Sequence, residues 1–373
     1  MNPHPDPPFV PGLVLAEILY REAVRPLLDR HFPSLPYSAA LLGPGSEVLG
    51  FDDAQSTDHH WGPRLMLFLR DEDAAQFGAV VWEYLAHNLP YRLRGYSTHF
   101  SPPDPNDSNV QHRRAIESGP VNHRVEILTL RRFLADYLAI DSERPLDAAD
   151  WLTLPAQKLR TLVAGAVYHD DVGLAALRQR LAYYPHDIWL YLLAAGWQRI
   201  GQEEHLMGRA GQVGDEIGAA LIGARLVRDI MRLCFLLERV YAPYPKWFGA
   251  AFQQLACAPT LTPHLQAALA ATHWAQREAY LTPAYEHVAA MHNALGVTEP
   301  LPTAVCNFFG RPFRVIALHG FSSALLAQIA DPEVRRIAAR PLIGSLDLFS
   351  DNTDLLSSPQ WRAALRRLYT DVD

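Results

Sequence analysis

Two stretches in the first third of the chain combine residue types and spacings suited to chemistry on a phosphate. The apolar run Ala39 to Leu42 ends in Gly43-Pro44-Gly45-Ser46. A glycine turn bares backbone N–H groups and Ser46 adds a hydroxyl, so this turn can cradle a phosphate as a nest of amides does. Eleven residues separate Ser46 from Asp58, which stands with His59 and His60 before a second apolar run, Leu65-Met66-Leu67-Phe68-Leu69. Adjacent histidines in a loop are commonly ordinary polar residues. On extended backbone neighbours point to opposite sides, so only His60, two positions on, can join Asp58 at a transition metal.

A third stretch, Asn122-His123-Arg124-Val125-Glu126-Ile127-Leu128, alternates as a strand does, with Val125 and Ile127 on one face and Arg124 and Glu126 on the other. Glu126 is then either a carboxylate of the site or a solvated edge residue paired with Arg124 or Arg131. Gly45, Ser46 and Asp58 resemble the signature of the nucleotidyltransferase superfamily: an apolar residue, Gly, Gly or Ser, a spacer of this length, and two carboxylates one residue apart. The second carboxylate position is His60 here. The resemblance implies that Gly45 and Ser46 hold nucleotide phosphates, that Asp58 and Glu126 are catalytic, and that Asp58, His60 and Glu126 surround the metal. Magnesium or manganese is implied ahead of zinc. A hard cation prefers oxygen to imidazole, which makes His60 a degenerate second ligand.

The elements that must position these residues are legible around them. Apolar residues from Leu13 to Leu28 recur at helical spacing up to Pro33, predicting a first helix across the sheet. Tyr37 to Leu42 and the run after Asp58 read as strands. A helix from Ala74 to Leu89 follows, with Asp71 and Asp73 at its positive end. Tyr91 to Phe100 alternates and predicts a further strand; Ser101 to Pro120 is a polar loop. From Trp151 onward the pattern is long helices without strands, so the expected fold class is α+β: a nucleotidyltransferase-like mixed sheet flanked by helices (1–150), then an all-α helical bundle (151–373).

In that second half, Leu159 to Tyr168, His186 to Arg209 and Asp215 to Tyr241 read as helices. Arg228 on the last of these, and Lys246 in the turn Ala242-Pro243-Tyr244-Pro245-Lys246-Trp247-Phe248, are candidate phosphate grips. Lys246 reads equally well as a surface lysine. The turn is similar to part of the C-terminal helical domain of small-molecule, antibiotic-type nucleotidyltransferases. With Gln202-Glu203-Glu204, Arg209, Gly214-Asp215-Glu216 and Arg228-Asp229 it also resembles an uncharacterised bacterial family built as a nucleotidyltransferase domain plus this bundle.

Composition sets the outer limits. The 373 residues suffice for two domains, and a formal charge of -7 with a pI near 6.1 argues against a mainly nucleic-acid-binding surface. Cys234, Cys257 and Cys306 are far apart in apolar surroundings and read as reduced thiols. With no bilayer-length apolar run and no leader pattern, a cytoplasmic protein without membrane partners is expected. The expected reaction is metal-dependent transfer of a nucleoside monophosphate from a nucleoside triphosphate to a hydroxyl of an unidentified small molecule. The alternative is a catalytically degenerate nucleotide-binding or regulatory protein on the same fold.

Overall fold

The structure, a computed structural model, describes residues 7–371 except 59 and 108, and at 58 the backbone only. It divides into two compact units, Met1–Pro145 with Lys158–Ala182, and Leu146–Gln157 with Tyr183–Asp373. A single division near Asp150 is therefore replaced by one that the chain crosses three times.

In the first unit, helix α1 (Gly12–Ile18), a π-helical turn (Leu19–Val24) and α2 (Arg25–His31) run on without a break. Strand β1 (Ser38–Leu41) leads through the Gly45-Ser46 turn and a 3-10 helix (Ala54–Asp58) to β2 (Arg64–Leu69) and α3 (Asp71–Asn88). The strand expected over 91–100 is instead a minimal hairpin, β3 (Arg92–Leu93) and β4 (Tyr96–Ser97). Its two turn residues, Arg94 and Gly95, both have positive φ (52° and 88°), the geometry whose twist matches that of paired strands.

Strand β5 (Arg124–Thr129) and helix α4 (Leu130–Leu138) follow. The chain then passes through α5 (Ala148–Thr153) and α6 (Ala156–Ala164) and returns as β6 (Ala166–Asp170) and α7 (Leu174–Arg180). The helix expected over 159–168 thus stops at Ala164. At Gly165 a Cβ would lie 2.1 Å from the Leu41 carbonyl oxygen, so glycine alone permits the close pass that lays β6 along β1. The Asp170 carboxylate then accepts the amides of Gly173, Leu174 and Ala175, starting α7.

These strands form one mixed sheet in the order β5-β2-β1-β6, with β1 antiparallel to both neighbours and β2 parallel to β5. Leu65, Leu67, Leu69, Val125 and Ala39 share a buried cluster with Leu19, Val24, Leu28, Val81 and Leu85. One face of the sheet is therefore sealed by helices. Period-2 alternation sends Arg64, Met66, Arg124 and Glu126 to the other face, where the parallel register sets Arg64 beside Arg124 and Met66 beside Glu126.

The second unit is helical, built on α8 (His186–Gln212), α9 (Glu216–Leu237), α10 (Pro245–Phe252), α11 (Ala258–Ala270) and α12 (Trp274–Ala294), followed by shorter helices. Asp215 caps α9 by accepting the Gly218 amide at 2.8 Å. The short pair Cys306–Asn307 and Arg314–Val315 is its only strand pairing among the described residues. Among the described residues no helix is long and apolar enough to cross a membrane.

Glu204, on α8, is buried and carries a consequence for pH. Its two carboxyl oxygens accept the amides of Ile316 (2.8 Å) and Ala317 (3.1 Å); burial pushes the carboxyl up to about 7 and these two bonds pull it back only in part. A folded-state pKa above the ordinary 4.5 means the native chain binds the extra proton, so this contribution is full below 4.5 and lost as pH rises through 7. Buried His292, pushed down to about 4, acts with the opposite sign between 4 and 6.5. Glu204→Gln isolates the first effect. Its melting midpoint should decline less than wild type between pH 4.5 and 7, while lying lower overall because one amide loses its acceptor, a cost of about 1–3 kcal/mol. Identical slopes in the two proteins would show that Glu204 stays ionised throughout.

Candidate functional site

The open face of β2 and β5 borders a cavity of about 270 Å³ whose polar lining is Arg64, Arg124, Glu126, Asp136 and Tyr137, with Pro44 of the glycine turn beside them. Arg64 stands at the start of a strand buried along its whole length. Its guanidinium pairs with Glu47 at 2.6 Å and donates to the Pro44 carbonyl at 2.7 Å. Both side chains of this pair are nearly sealed from water, 9% and 5% exposed. Gly45 has φ +147°, and a Cβ there would meet the Glu47 carboxylate at 2.4 Å and the Arg64 guanidinium at 2.5 Å. The turn needs glycine in order to close over this ion pair. The Ser46 carbonyl accepts the amides of Leu49 and Phe51 and opens a helical turn behind it.

Arg124 is the second cation of the face, its side chain 14% exposed. Burial, and then the neighbouring Arg64 charge, lowers its pKa below the ordinary guanidinium value. Its Nη1 lies 3.0 Å from His60 Nδ1, and it also donates to the His60 carbonyl at 3.3 Å. A guanidinium can only donate, so His60 Nδ1 must accept, and the neutral imidazole then carries its proton on Nε2. Neither ring nitrogen keeps a lone pair for a metal. Glu126 is 48% exposed and stands 3.7 Å from Arg124. Arg124 thus sits within reach of both described members of the expected metal set, His60 and Glu126.

These two residues do not fit a divalent cation in this arrangement, because a guanidinium already provides the positive charge between them. The backbone supplies part of the reason. The sequence reading placed His60 on extended chain, opposite in sense to its neighbour and aligned with Asp58. Instead the chain passes from the 3-10 helix ending at Asp58 to a left-handed residue at His60, φ +52°, and β2 begins only at Arg64. Strand alternation does not operate there. The Asp58 side chain lies outside the described residues. Among those described, no group of three or more His, Cys, Asp or Glu could hold a metal ion.

The other two candidates belong to the second unit. Arg228 is committed to carboxylates, Asp229 at 3.3 Å and Asp351 at 3.2 Å. Lys246 is exposed, with its ammonium 5.0 Å from the Trp247 ring centroid, the geometry of a cation resting on an aromatic face. Sequence reasoning missed Arg64 and Glu47. Their only signal was an arginine opening an apolar strand and an acid directly after the glycine turn.

A family profile described as "Domain of unknown function (DUF4037)" matches residues 151–248. No curated protein matches the chain. Among solved structures, the crystal structure of a nucleotidyltransferase-like protein from Exiguobacterium sibiricum 255-15 is similar at 10% identity, over 74% of this chain and 76% of that one, with a TM-score of 0.33.

Proposed function

We propose that the first unit binds a nucleoside triphosphate by its phosphates on the open β2–β5 face, as a nucleotide-binding protein in which Arg124 supplies the charge that a cation would bring. The observation that carries this reading is Arg124 itself, a largely buried guanidinium set between His60 and Glu126 at a cavity beside the glycine turn. A planar fork of donors suits phosphate oxygens. The second reading is transfer of a nucleoside monophosphate to a small-molecule hydroxyl with Mg²⁺ or Mn²⁺, using Asp58 and Glu126. It is favoured by the exposure of Glu126, which leaves its carboxylate open to an attacking hydroxyl.

Titrating the full chain with ATP in the presence of a chelator tests the first reading. Binding without metal is expected, and Arg124→Gln should weaken it by about 1.5–3 kcal/mol, the worth of a charge-assisted contact. No binding without metal, combined with Mg²⁺-dependent binding that tightens in His60→Asp, would overturn it. Incorporation of labelled nucleotide into a small-molecule extract, abolished by Asp58→Ala, would establish the transfer reading instead.

A further inference from the structure

We infer that the second unit holds a small apolar monocarboxylate, its body in a cavity walled by Leu192, Leu233, Phe235, Tyr241 and Phe248 and its head on Arg232. The cavity measures about 250 Å³ and lies wholly within this unit, so the inference is independent of the nucleotide reading. Ligand pockets for drug-sized molecules begin near 300 Å³, so the occupant is smaller, on the scale of an aromatic or short-chain acid.

The charges at the polar end of this cavity identify the head group. Asp229 is met by Arg228 at 3.3 Å and by Arg199 at 3.5 Å, and Arg228 also reaches Asp351. Asp347 accepts the Ala156 amide at 3.0 Å. Arg232 lines the same cavity, yet among the described residues its guanidinium makes no hydrogen bond and no ion pair, although it is half-buried and its charge is felt by Asp347. A half-buried cation whose charge is disfavoured by its surroundings gains when a ligand supplies a direct partner. Its planar fork fits a carboxylate. Asp229, Asp347 and Asp351 nearby repel a second negative charge, which selects a monoanion over a phosphate dianion.

The test uses the full chain and three probes of equal body: 3-phenylpropanoate, its amide, and 3-phenylpropylamine, each titrated calorimetrically. The acid should bind at least about tenfold tighter than the amide, the ratio expected when one charge-assisted contact is lost, and the amine should not bind. Arg232→Met should erase the preference of acid over amide, whereas Arg232→Lys should keep part of it. Equal binding of acid and amide, preference for the amine, or no binding of any probe by the wild type would each overturn the inference. The three probes decide on wild-type protein even if the Met variant fails to fold.

Discussion

Glu47→Ala will lower the stability of the first unit by about 3–5 kcal/mol, the usual cost of removing one partner from a buried ion pair. The loss arises from what is left behind. Without the carboxylate, the Arg64 guanidinium keeps the Pro44 carbonyl at 2.7 Å but must carry its charge in a place almost closed to water. That is a large fraction of the 5–15 kcal/mol that typically separates folded from unfolded states. Urea denaturation measures it, and a loss under about 1 kcal/mol would show that water reaches the pair. The double replacement Glu47→Leu with Arg64→Met should recover most of the loss, because apolar groups of similar volume often match a buried pair in stability. If that double variant is stable and still binds ATP, the Arg64–Glu47 pair serves the turn, and the site belongs to Arg124.

An equally large effect is expected in the second unit, where Asp150→Ala should cost about 3–5 kcal/mol. Asp150 is 0% exposed and sits in the first turn of α5, where it forms a capping box with Asp147: the Asp147 carboxylate accepts the Asp150 amide at 2.8 Å and Asp150 accepts the Asp147 amide at 3.1 Å. The same Asp150 carboxylate receives Arg362 and Arg366 of the C-terminal helix Arg362–Thr370. Arg366 also forks onto Asp147 at 2.7 and 2.9 Å, and that bond is the main reason its guanidinium holds its proton more tightly than usual. One substitution therefore removes the Asp150 half of the capping box and takes the Asp150 charge from two arginines, one of them buried. Asp150→Asn keeps the shape and part of the hydrogen bonding and should cost less. Equal melting midpoints for wild type and Asp150→Ala would mean that the C-terminal helix docks by apolar contact alone.

What the sequence determined by itself is local. Spacing of apolar residues placed the first helix, α3, α8 and α9, continuous apolar runs placed β1 and β2, and alternation placed β5, because a helix or strand reports its buried faces through its own pattern. Caps are local in the same sense: Asp170 and Asp215 lie within five residues of the amides the structure shows them accepting. What only the tertiary structure decided is partnership across distance. β6 was invisible because Ala166-Val167-Tyr168-His169-Asp170 continues a helical pattern, and its strand state comes from β1, over a hundred residues away. The register of β2 on β5 put Arg64 beside Arg124, and a left-handed residue turned His60 toward an arginine 64 positions on. Residue types showed that this region could hold charge. Which charge meets which was settled by the pairing of strands and by one dihedral angle, neither of which leaves a trace in spacing along the chain.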